Sequence, residues 1–148
     1  MNFNNRIGLW IVLLLGITAI TCKHAENQTD TGIQFETVSY EEALKMAGET
    51  DKLVFLDAYA SWCGPCKFMS KKIFTQQDVG EFYNKNFINL KIDMEKGEGP
   101  SISRKLGVQA YPSLFFLDKD GNVVEKNIGA LDGPKMIKFG EKALSSKS

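Results

Sequence analysis

Hydrophobic positions divide the chain into a uniformly apolar run near its start, a polar stretch, and a long segment in which strand-like and helix-like periods alternate. The run Ile7–Cys22 carries no charge; Arg6 precedes it and the next charge is Lys23. A positive residue ahead of an apolar run is the pattern of a bacterial export signal. The run is short for a free-standing span, which needs about 20 apolar residues. Residues 1–22 are therefore expected to be a signal peptide, with a retained membrane anchor as the second reading. Residues 23–32, KHAENQTDTG, are polar and without apolar period, and predict a flexible tether. His24, the one histidine, is expected to face solvent there without a role.

Residues 33–148 read as one domain. Ile33, Phe35 and Val38 suggest a short first strand. Ser39 followed by Glu42 is a capping-box pattern, and Ala43, Leu44, Met46 and Ala47 form an apolar face before Gly48, which is expected to end the helix. Leu53–Tyr59 is nearly continuous in apolar residues, the mark of a central strand covered on both faces, with Asp57 as its one interruption. Phe68, Met69, Ile73 and Phe74 give a helical stripe. A second cap at Thr75, with Asp78 three residues on, predicts a break and a restart toward Phe82 and Tyr83. Phe87–Asp93 alternates as a half-covered strand. Pro100 is placed to open a short helix and Gly107 to close it. Ser113–Leu117, the turn Asp118–Gly121 and Asn122–Ile128 predict a hairpin, and Asp132-Gly133-Pro134 begins a last helix. The order is βαβαβαββα, an α/β fold with a central mixed sheet flanked by helices on both faces.

Composition narrows the function. The chain has 148 residues, enough for one ordinary core. Lys and Arg number 18 and Asp and Glu 18, so there is no net basic field to attract nucleic acid. With three cysteines the fold cannot rest on covalent staples. No nicotinamide or flavin motif is present, so no cofactor is expected, and two cysteines without a nearby histidine make an incomplete metal site.

The distinctive chemistry lies in Leu53–Met69, where a strand-like run meets two cysteines separated by Gly64 and Pro65 and then residues that favour helix. Cys63 falls where a helix start leaves backbone N–H groups unpaired, which favours its thiolate. Cys66 is one turn deeper on the same face and within reach. Such a pair can close a small disulfide and reopen it.

The hexapeptide Trp62-Cys63-Gly64-Pro65-Cys66-Lys67 resembles the active site of the thioredoxin family without a mismatch, and similarity extends over roughly residues 33–145. Asp57 matches the family's buried aspartate, Tyr111-Pro112-Ser113 its cis-proline loop, and Ile128-Gly129-Ala130 its late glycine. The resemblance implies the thioredoxin fold and a thiol-disulfide oxidoreductase. Cys63, nearer the helix start and the surface, would attack; Cys66 would resolve the mixed disulfide. Asp57 would take or relay the Cys66 proton, unless it is a structural carboxylate satisfied by backbone donors. The family's usual lysine partner of that aspartate is replaced by Asn89, and Lys91, two residues on, is the candidate substitute. Pro112, cis by resemblance, would present the Tyr111 backbone to an extended substrate segment, and Tyr111 is larger than the aliphatic residue common there. Gly64-Pro65 is similar to reducing members, which favours reduction over oxidation. Trp62 is either a platform beside the thiols or ordinary packing.

Cys22 stands at the end of the apolar run in a position similar to a lipoprotein processing site, although Ala19 and Thr21 depart from that pattern. It is either lipidated or a cysteine that merely ends the run. The expected protein is an exported, membrane-tethered monomer on the periplasmic side of a bacterial membrane. Its partners would be protein disulfides and an external thiol donor. The alternatives are a reductase for cytochrome c maturation and a non-catalytic binding module.

Overall fold

The computed structural model describes residues 31–147; the expected signal, Cys22, His24 and most of the expected tether lie outside the described residues. Ten segments of regular structure follow in order. They are α1 (Tyr40–Thr50), β1 (Leu53–Tyr59), α2 (Gly64–Phe68) continued by a π-helical turn (Met69–Ile73), α3 (Gln77–Asn86), β2 (Phe87–Asp93), α4 (Gly99–Leu106), β3 (Ser113–Leu117), β4 (Val123–Ile128) and α5 (Gly133–Ser146). The sheet order is β2-β1-β3-β4. β1 runs parallel to β2 and antiparallel to β3, and β3 pairs antiparallel with β4, so the sheet is mixed as expected.

Strand side chains alternate between faces, and each face has its own core. Leu53, Phe55, Phe87, Leu114 and Phe116 pack beneath α2 with its π turn, α3 and α5. Val54, Leu56, Ala58, Leu90 and Phe115 pack beneath α1 and α4. β1 is therefore buried along its length, in keeping with its continuous apolar run. On the first face the aromatic rings interlock: Phe55 lies 4.7 Å from Tyr83 and 5.4 Å from Phe116, centroid to centroid. Asp57 shares that face with Leu53 and Phe55, which aims its carboxyl at the α2 side.

Local punctuation works mostly as expected. Ser39 Oγ accepts from the Glu42 N–H at 3.2 Å, and Asp132 Oδ1 from the Lys135 N–H at 2.9 Å. Gly107 closes α4 with φ 63°. Gly48 does not end α1, which continues to Thr50 and closes on Asp51 in the left-handed region. The helical break after Ile73 is present, but Thr75 is no cap: its hydroxyl donates back to the Lys71 carbonyl, and Gln76 is the cap residue.

Two expectations are overturned. Ile33–Val38 is not a strand, so the order is αβααβαββα, with α2 and α3 as separate helices. The segment instead runs beside β2 as an extended strap. It is held by Ile33 N–H to the Phe74 carbonyl (2.7 Å) and Glu36 N–H to the Asn89 carbonyl (2.8 Å). β2, in turn, is more than half covered. Asn89 is 3% exposed because the strap lies over it and accepts from its amide at the Gln34 carbonyl, 3.3 Å away.

Candidate active site

Cys63 and Cys66 are joined in a disulfide. Cys63 is the N-cap of α2, with an extended ψ of 115°, and its Sγ accepts the Cys66 N–H at 3.1 Å. The same amide would hold a thiolate there after reduction, because a backbone N–H at a helix start favours negative charge. Pro65 sits in the first turn, where a missing N–H costs nothing. Both cysteines are only 2% exposed, so the expected surface position of Cys63 is not found. Helix position, not exposure, distinguishes the two sulfurs. Ala60, Tyr59 and Tyr111 pack around them.

The rim is aromatic and polar. Trp62 is 65% exposed and so is not a core residue. Its indole donates to Glu95 Oε2 at 2.9 Å, and its ring meets Tyr111 edge to face at 5.9 Å. The Tyr111–Pro112 bond is cis, as the resemblance implied, and the Pro112 carbonyl accepts from Gly129 N–H at 2.8 Å. That bond ties the late glycine to the proline loop. Glu95 carries no sequence signal linking it to Trp62, because the contact spans two loops.

Asp57 is 1% exposed and pairs across the sheet with Lys91, whose Nζ lies 2.8 Å from Oδ2. Oδ1 has no hydrogen-bond partner among the described residues, so backbone donors do not satisfy this carboxylate. Burial drives its pKa above the ordinary carboxylate value, and the Lys91 charge offsets only part of that. The shift of the lysine by two residues has a plain cause. Asn89 faces Phe55 across the sheet and is used to hold the strap, whereas Lys91 stands directly opposite Asp57. Lys91 also donates to Ser70 Oγ and lies over the rings of Tyr59 (4.7 Å), Phe74 (5.2 Å) and Phe35 (5.7 Å). A cavity of 120 Å³ is lined by Cys66, Lys67, Ser70 and Lys91, so it reaches from the Cys66 side chain to the lysine of this pair. Sequence reasoning did not include Ser70 or Phe35 in the site.

A family model described as a thioredoxin-like domain matches residues 40–144. A chloroplastic thioredoxin Y1 of Arabidopsis thaliana is 39% identical over 98 residues, 66% of this chain and 54% of that protein. The chain thus spans about half the length of curated relatives such as this one. A solution structure from Bacteroides thetaiotaomicron, described as a candidate disulphide-isomerase, is 45% identical with a TM-score of 0.69, covering 79% of this chain and 97% of that one. The oxidised C-terminal domain of Neisseria meningitidis DsbD is 25% identical with a TM-score of 0.60, over 76% of this chain and 99% of that one.

Proposed function

The chain belongs to the thioredoxin-like family, and from that premise we propose that it is a thiol-disulfide oxidoreductase that reduces or exchanges disulfides of proteins outside the cytoplasm. The observation that carries this reading is the Cys63–Cys66 disulfide at the start of α2, with a backbone N–H already on the Cys63 sulfur.

In the reduced protein the Cys63 thiolate attacks one sulfur of a partner disulfide. A mixed disulfide forms and the first partner thiolate leaves. Cys66 then loses its proton, attacks Cys63 Sγ and expels the second partner thiolate. The partner gains two electrons and the protein is left with the disulfide described above. Asp57 is the acceptor for the Cys66 proton, since burial raises its proton affinity and the 120 Å³ cavity beside Cys66 extends to Lys91, the ion-pair partner of Asp57. Lowering a thiol pKa from about 8.5 to about 7, as in thioredoxin itself, raises the thiolate fraction at pH 7 about sixteenfold, while nucleophilicity falls about sixfold. The net gain is about threefold, so oriented binding must supply the rest.

Binding falls to the rim. Among the described residues the Tyr111 backbone has no backbone partner, which leaves it open to an extended segment of substrate beside the Trp62 platform. Gly64-Pro65 favours reduction as the working direction, with an external thiol donor restoring the dithiol. The positive Arg6 ahead of the uncharged run Ile7–Cys22 supports attachment through residues 1–22, by lipidated Cys22 or a retained anchor, on the periplasmic side of a bacterial membrane.

The test is a Cys66→Ser trap expressed in the full chain. A stalled mixed disulfide through Cys63 is expected with extracytoplasmic proteins. Trapping that depends on Cys22 in place of Cys63 would refute the assignment.

A further inference from the structure

The strap ahead of α1 does more than cover β2. Asn84 Oδ1 accepts the Gln34 N–H at 2.8 Å, its amide donates to the Gly32 carbonyl at 3.0 Å, and Asn89 Nδ2 donates to Asn84 Oδ1 at 3.1 Å. These bonds fix the residues ahead of Phe35, and the Glu36 N–H bond to the Asn89 carbonyl fixes the one after it. The Phe35 ring stands edge-on to Phe74 at 5.4 Å, with Lys91 Nζ 5.7 Å from its centre. Two hollows border Lys91, of 280 and 470 Å³, and Phe35 lines both. The second also contains Glu36, an exposed carboxylate and a competing partner for a lysine that swings outward. Lys91 therefore has space to leave Asp57, and the ring on the strap is a wall against that movement.

We propose that Phe35 is a positioning residue of the dithiol site: the strap holds its ring against the Lys91 ammonium and so keeps that ammonium on Asp57. The inference rests on the proposed role of Asp57 as proton acceptor for Cys66. Phe35 acts through Lys91, whose Nζ its ring faces at 5.7 Å. The ionisable groups around the pair are Tyr59 on β1, Cys66, Lys67 and Lys71 on α2 and its π turn, and Glu36 on the strap. Asp93, next on the same face of β2, is engaged by Lys96 at 3.4 Å. Because among the described residues only Lys91 is in ion-pair contact with Asp57, loss of its confinement raises the Asp57 midpoint.

The experiment is an NMR titration of the Asp57 carboxyl in the full chain, ¹³C-labelled at aspartate, oxidised, in detergent, with Asp57→Asn to assign the signal. Phe35→Leu, which keeps apolar bulk but removes the ring face, is expected to raise the midpoint by about half a pH unit, the scale of one cation–ring contact. Phe35→Tyr restores the native value. Lys91→Gln gives a larger rise, and Phe35→Leu added to it gives no further rise. A midpoint unmoved by Phe35→Leu, or moved equally with and without Lys91, overturns the proposal. If Phe35→Leu does not fold, Asn84→Ala releases the strap and is scored by the same outcomes. Disulfide cycling of the unaltered protein is measured alongside. Its failure sinks the oxidoreductase reading, whereas a flat Phe35 response with normal cycling sinks only the positioning role.

Discussion

Asp57 is where stability and chemistry pull against each other. An ionised carboxyl that is 1% exposed, with one oxygen lacking a partner, is held at a cost that the Lys91 contact only partly offsets. Its folded pKa lies above its unfolded one, so the folded state binds the extra proton between the two values and stability falls as pH rises through that window. Each pH unit separating the two midpoints corresponds to about 1.4 kcal/mol. Asp57→Asn should therefore stabilise the oxidised protein, with little gain near pH 4 and a larger gain at pH 8, read from urea unfolding at both values. An equal gain at both would show that the carboxyl is not desolvated as described. The same substitution should slow resolution of the mixed disulfide in single-turnover experiments by about 100-fold near neutral pH, the lower end of the range for one general base. It should leave the first attack by Cys63 nearly unchanged.

Elements whose identity depends on neighbouring residues in sequence were legible; those that depend on a distant partner were not. β1 could be read because both its faces are buried, and α4 and α5 because Pro100, Gly107, Asp132 and Pro134 act locally. Ile33–Val38 has strand-like composition but sits at the edge of β2 with one backbone bond to that strand, and Asn84 and Asn89 hold it through side chains. Nothing in its own residues reveals that. The strap also fits against α3 through glycines. A Cβ on Gly80 would lie 2.5 Å from the Gly32 carbonyl carbon and 2.6 Å from its oxygen, so either the strap lifts or α3 moves. Gly80→Ala should cost about 1–3 kcal/mol in urea unfolding, the usual range for overpacking. Gly48→Ala, inside α1 with only the Lys119 side chain at 3.6 Å, should instead gain about 0.5–1 kcal/mol. The same change at two helical glycines thus has opposite sign, and matching effects would contradict the close strap contact.

Across the whole molecule, the sheet assembles what the sequence keeps apart. The cysteines and Asp57 were legible because they lie within one strand–turn–helix stretch, and Tyr111-Pro112 because the motif is specific. The surroundings of Lys91 were not, since Phe35, Tyr59 and the pair Ser70 and Phe74 come from three separate places along the chain and meet only when β2 docks beside β1. Trp62 and Glu95 likewise join across loops to frame the rim. This division places the redox chemistry on one short segment and its tuning on the rest of the fold. The central claim is that Cys63 and Cys66 exchange two electrons as a unit. It is tested most directly by equilibrating the purified full chain in dithiothreitol buffers of graded potential and counting alkylated cysteines by mass. One cooperative transition is predicted, a gain of two modified cysteines, with Cys63 and Cys66 changing together. A protein that keeps its disulfide across the whole range, or that modifies Cys63 and Cys66 independently, would contradict the account.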